Sequence, residues 1–197
     1  MSAAREEILR RVRDAKGRAP TEIAHTYRRT GTRHETERAA LLRERLADYR
    51  ARVEQDLSSV LDGLAGSRIG VPPGLPAEWR PADAVEDHGL APRELDELDG
   101  VVTGCTVAIA ETGTIVLAAG PTEGRRALTL VPDLHVCIVR ADQIVETVPE
   151  AFVALRGFER RPLTLVSGPS ATSDIELRRV EGVHGPRRLV VVMIEDR

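Results

Sequence analysis

Beyond Gly66 the chain consists of short aliphatic, β-branched runs punctuated by glycine and proline, and this alternation constrains its fold more than any other feature. The runs at residues 136–139, 163–166 and 189–194 are continuous and β-rich, of the kind buried on both faces of a mostly parallel sheet. A helix over residues 142–155 is predicted between the first two. Residues 68–71 and 79–85 supply further candidate strands, and 93–98 a short helix opened by Pro92. Val107 and Ile109 lie on one side of Glu111-Thr112-Gly113, and Ile115 and Leu117 on the other, each alternating with smaller residues. That pattern predicts a hairpin or a strand broken by a sharp turn.

Residues 1–64 read differently. Ser2 can cap a first helix in which Ile8, Leu9, Val12 and Ala15 recur at helical spacing, ended by Gly17 and Pro20. Residues 19–33 form a polar connector that either lies exposed or touches something through His25, Tyr27, Arg28 and Arg29. From Glu35 the apolar positions Leu42, Leu46, Tyr49, Val53, Leu57, Val60 and Leu64 step by three or four, which predicts one helix of about eight turns with a single buried face. The face packs on its own domain or meets a partner helix or a second copy of the chain. The expected division is a helical extension over 1–64 and an α/β domain over 65–197.

Composition narrows the function classes. Hydrophobic residues make up 42% of the 197 residues and aromatics only 3%, so the core is aliphatic and few rings are available to stack on bases or sugars. The net charge of −3 divides unevenly: residues 1–60 carry 14 basic and 10 acidic side chains, leaving 14 basic and 21 acidic beyond them. An acidic main domain disfavours nucleic acid as a partner. Lys16 is the single lysine, so carboxylate or phosphate recognition falls to arginine or backbone amides. Cys105 and Cys137 are the only cysteines and form no CxxC, which leaves no self-contained iron–sulfur or structural zinc site. No apolar leader and no membrane-length apolar run is present, so a cytoplasmic location is expected.

Several residues are candidates for chemistry. Ser167, Gly168, Ser170, Thr172 and Asp174 belong to a small-residue loop after a strand, ahead of an expected helix start, where free amides and hydroxyls can hold an anion or merely cap the helix. Arg125 and Arg126 follow Gly124, and one of them can clamp a carboxylate or phosphate in bidentate fashion. Glu111 is the only acid between Val101 and Pro121 and can serve as base, nucleophile or structural acceptor. His135 and His184 stand at a strand entrance and in a Gly-Pro-restricted loop, as ligand-binding or hydrogen-bonded structural groups. The absence of HxxxH, HExxH and cysteine clusters argues against a tight metal site. Neither a GxxxxGK[ST] loop nor a GxGxxG fingerprint occurs, so no ATP or NAD site is supported.

GCTVAIAETGTIVLAAG at 104–120, GRR at 124–126, SGPSATSDIE at 167–176 and GVHGP at 182–186, in that order and spacing, resemble the LUD-domain family. The Arg-rich opening helix and the Tyr27-Arg28 pair extend the likeness over nearly the whole chain. The resemblance implies an α/β fold with a three-layer, mostly parallel sheet, similar to the ribose-5-phosphate isomerase and coenzyme A transferase class, and a LUD-type domain over 65–197. It also implies a component of a bacterial system that oxidises L-lactate to pyruvate, with iron–sulfur clusters in partner proteins and no cofactor in this chain. Whether the chain is an accessory subunit binding a small anion, or an enzyme acting through Glu111 on a phosphorylated, carboxylated or coenzyme A-linked molecule, stays open at this point. The position of Glu111 looks like that of the thioester-forming glutamate of coenzyme A transferases.

Overall fold

The computed structural model describes residues 3–15, 27–158, 160–172, 180–181 and 185–195. Six strands, β1 (Arg52–Glu54), β2 (Ile69–Val71), β3 (Val85–Glu86), β4 (Gly100–Thr103), β7 (Leu134–Arg140) and β12 (Arg188–Ile194), form one sheet in the order β1-β12-β7-β4-β2-β3. Every pairing in it is parallel. The chain is therefore of the α/β class, with a mostly parallel sheet. A second sheet combines β5 (Val107–Ile109), β6 (Thr114–Leu117), β8 (Ile144–Val145) and β9 (Thr164–Val166) in the order β8-β5-β6-β9.

The long strands β7 and β12 explain the layering. Their side chains alternate: Cys137, Val139, Val191 and Met193 point to one core, and Val136, Ile138 and Val192 to another. The first core is closed by the second sheet and by Leu42 and Leu46 of α2 (Glu35–Asp48), the other by α3 (Leu57–Asp62) and Trp79. On the outer face of the second sheet, Val107, Ile109 and Val116 pack against Ala151 and Leu155 at α6 (Val148–Ala154). Two of the three expected doubly buried parallel strands, β7 and β12, and the hairpin around Glu111 are where the sequence pattern placed them. Both cysteines are free and buried, and hydrogen bonding to the Cys137 thiol followed by burial pushes the Cys105 thiol well above its ordinary value.

Four local expectations are corrected. The eight-turn helix over 35–64 is two helices separated by edge strand β1. Leu42 and Leu46 face one side of the main sheet while Leu57 and Val60 face the other, which no single helix can do. The turn between them closes through Ala51 N–H donating to Leu46 O, with Arg50 held at φ 66°. Residues 1–64 are thus not helical throughout. Residues 142–155 are not one helix, because Ile144 is drawn into the second sheet and α6 starts only where Thr147 caps it and Pro149 occupies its first turn. Residues 79–85 are interrupted by Pro81, leaving a 3₁₀ turn at Ala77–Trp79 and the two-residue β3. Residues 163–166 yield β9, an antiparallel edge strand of the second sheet with Leu165 exposed, rather than a doubly buried one. The first helix, α1 (Ala3–Ala15), forms as expected and buries none of its residues.

His135, on β7, is 1% exposed and shares its Nε2 with the Thr103 hydroxyl at 2.8 Å, while Thr103 donates to Gly104 O. Burial lowers its pKa from 6.5 to about 4. With the folded value depressed, the neutral ring's stabilising contribution is complete above pH 6.5 and is lost as pH falls toward 4. Between pH 7 and 5 the folding free energy should fall by roughly 2 kcal/mol on this account. His135→Gln, which can still reach Thr103, should flatten that slope in urea titrations; an unchanged slope would contradict the assignment.

Candidate functional site

The hairpin joining β5 to β6 turns at residues 110–113, and its strand β5 runs beside β8 in parallel. The register continues past the strand ends: Ala110 N–H donates to Val145 O and Glu111 N–H to Glu146 O, at 2.9 and 3.1 Å. Two Glu-Thr pairs, each following an apolar run, therefore lie side by side just past the ends of adjacent strands. The Glu146 side chain is 1% exposed and that of Glu111 32%. Two neighbouring carboxylates repel one another unless positive charge is supplied, and the connector ahead of α2 supplies it.

Arg28 spans both acids, with Nη2 on Glu111 Oε1 and Nη1 2.9 Å from Glu146 Oε1. Arg33 Nη1 reaches the same Glu146 oxygen at 2.8 Å. Glu146 Oε2 accepts the backbone N–H groups of Thr32 at 2.7 Å and Arg33 at 2.6 Å. Gly31 lies so close to Glu146 that a Cβ there would sit 2.3 Å from Oε2, so only glycine allows this approach. Its N–H donates to Glu150 Oε1, and the other Glu150 oxygen takes the Glu146 and Thr147 amides at the start of α6. The Arg33 backbone bond, aided by that of Thr32 and the charges of Arg33 and Arg28, holds the Glu146 carboxyl below its ordinary range against the upward push of burial. At Glu150 burial pushes upward, and the Gly31 and Thr147 amides outweigh it.

Ser167 joins this end of the molecule. Its hydroxyl lies 2.8 Å from that of Thr114, which accepts from Thr112 at 2.8 Å, so the small-residue loop and the Glu111 turn are linked. Gly168, at φ 112°, packs on Tyr49 at the end of α2. Ser170 N–H donates to Pro186 O, and Thr172 belongs to β10 (Ala171–Thr172), which pairs with β11 (Val180–Glu181). Asp174 and His184, and the helix start expected at Ser173 or Asp174, lie outside the described residues.

The arginines after Gly124 are placed elsewhere. Arg125 makes a bidentate clamp, but on the chain's own Asp87, at 2.7 and 2.9 Å, with a further bond to Leu90 O. Asp87 is buried beyond β3, at the opposite edge of the main sheet from β1. Burial pushes its pKa up and the Arg125 bond, with backbone amides, brings it below the ordinary range. Arg126 opens α5 (Arg126–Leu130) and is exposed. Among the described residues no hydrogen bond connects either arginine, or His135, with Glu111 or Ser167, and no group of three or more His, Cys, Asp or Glu could hold a metal ion. No helix among them is long and apolar enough to cross a membrane.

Glu146, Glu150, Arg33 and Asp87 escaped sequence reasoning. A signal existed for the first: Glu146-Thr147 repeats the Glu111-Thr112 pattern of an acid directly after an apolar run. Thr147-x-x-Glu150 is also a capping box in plain sight.

If Glu146 anchors the connector, Glu146→Gln should free residues 27–33. Trypsin should then cut after Arg28, Arg29 or Arg33 several-fold faster than in the parent protein, with the sheet core intact by circular dichroism. Equal cleavage rates would show that the connector is held by something else.

The LUD domain model matches residues 73–194. Lactate utilization protein C of Deinococcus radiodurans is 49% identical over 162 residues, covering 77% of this chain and 76% of that protein. Lactate utilization protein C of Halalkalibacterium halodurans is 34% identical over 122 residues, 57% of this chain and 53% of its own length. The crystal structure of a DUF162-family protein from Deinococcus radiodurans is similar with a TM-score of 0.72 at 40% identity, over 83% of this chain and 99% of that one. With a family model covering more than half of its length and a close relative matched over most of both chains, this chain belongs to the LUD-domain family.

Proposed function

We propose that this chain serves L-lactate utilization as an accessory, small-anion-binding component of a system that oxidises lactate to pyruvate, with iron–sulfur clusters carried by partner proteins. The names of its relatives support the pathway. One observation carries the accessory role: the Glu111 carboxylate is neutralised by Arg28, whose guanidinium is also bonded to Glu146, so Glu111 is not poised to attack a substrate. A small carboxylate would instead compete with Glu111 for Arg28, beside the hydroxyls of Thr112, Thr114 and Ser167. In this reading α1, which leaves Ile8 and Val12 exposed, docks on a partner or on a second copy.

A second reading, an enzyme acting through Glu111, is favoured by one feature. Glu111 is one-third exposed and its second oxygen makes no hydrogen bond among the described residues, so withdrawal of Arg28 would leave a free carboxylate at a turn.

A cell lacking this chain should grow poorly on L-lactate and normally on pyruvate. Equal growth on both would contradict the lactate role. Restoring the chain as Glu111→Gln separates the two readings: regained growth supports the accessory role, whereas no growth with an unchanged melting temperature supports catalysis.

A further inference from the structure

Ser170, three residues beyond the Ser167 that joins the Glu111 turn, meets the Gly185-Pro186 pair. Ser170 N–H donates to Pro186 O at 2.8 Å, which closes the loop over the segment leading into β12. Strands β1 and β12 are parallel neighbours, with Arg52 opposite Val190, so the segments entering them share the amino edge of the sheet. The first brings Arg50 and Arg52 there and the second Arg187 and Arg188. Between them is a cavity of about 420 Å³, lined by these four arginines, by Pro169 of the loop, and by apolar side chains that include Val60 and Leu64 after β1 and Leu134 and Val190 on the strands.

Among the described residues, charge in this cavity is not balanced from within. None of its described lining residues is an acid; Glu54 holds Arg52 at 2.6 Å and Asp133 holds Arg187 at 2.5 Å from outside. Arg188 has only a 4.0 Å contact with the same Asp133, and Arg50 has no side-chain partner among the described residues. Arg50 is also one of two non-glycine residues in left-handed backbone among the described residues, φ 66°, where glycine or asparagine would be less strained. Guanidinium forks suit carboxylate, phosphate or sulfonate groups, and they stand here above an aliphatic floor. The volume lies within the range of small-molecule sites, ~300–1,000 Å³, and exceeds what a three-carbon acid would fill.

We infer that the amino edge of the parallel sheet binds an organic anion: a molecule with a carboxylate, phosphate or sulfonate head held by Arg50 and Arg188, and an apolar body lying on Val60, Leu64, Leu134 and Val190. None of these residues belongs to the Glu111 and Glu146 cluster, so the site stands or falls apart from the lactate reading.

Octyl phosphate, kept below its micelle concentration, is a suitable probe, titrated calorimetrically into the full chain beside inorganic phosphate and octanol. One molecule should bind per chain, at least about tenfold more tightly than either half alone. Arg50→Gln combined with Arg188→Gln should weaken it by about tenfold or more at an unchanged melting temperature. Backbone amide shifts in the unmutated protein give a readout independent of any variant's folding and should concentrate at residues 50–52, 60–64 and 187–190. Equal affinity for inorganic phosphate, binding without saturation, full affinity in the double variant, or shifts confined to other regions would each overturn the site.

Discussion

A carboxylate that is 1% exposed keeps its charge only if the protein replaces the hydrogen bonds of water, and Glu146 is given four donors by one short segment. Its neighbours make the demand greater, since Glu111 lies in the turn beside it and Glu150 one helical turn ahead. The connector around Gly31 is therefore not a passive link between α1 and the α/β core. It supplies two guanidiniums and three backbone amides to a row of three acids, and α2 begins directly after it. The position of α2 over the second sheet, and so the closure of one of the two main cores, follows from that docking.

Magnitudes separate the two ends of Arg28. Its contact with Glu111 joins partly exposed groups, and such pairs contribute about 0–1 kcal/mol. The contact with Glu146 belongs to a buried, fully bonded carboxylate, where removing a donor leaves desolvated charge behind. Loss of the Glu111 contact would therefore cost far less than loss of the Glu146 contact, and it is the buried carboxylate that holds the connector in place.

What the sequence disclosed follows the range over which its signals act. Strands β7 and β12 were legible because an uninterrupted apolar run has to be buried on both faces, and the hairpin because Glu111-Thr112-Gly113 breaks an alternating pattern. Residues 35–64 misled because the spacing of Leu46, Val53, Leu57 and Val60 stays in helical phase across a strand. The break is dictated by pairing with β12, where Arg52 lies opposite Val190, 138 positions on in the chain. The same distance hid the partners of Arg125 and Glu146. A bidentate arginine clamp was legible as chemistry, but its occupant, Asp87, is set by packing between separate strands. Glu111 and Ser167 were legible singly, and their link through Thr114 needed the antiparallel register of β6 with β9.

The most direct test of the central claim is hydrogen exchange at the amides of Thr32 and Arg33. If both donate to a buried Glu146 carboxylate, they should exchange orders of magnitude more slowly than an unstructured connector, and Glu146→Gln should accelerate both while leaving β7 and β12 amides protected. Exchange at unprotected rates in the parent protein would contradict the docking on which this account of α2 and Glu111 depends.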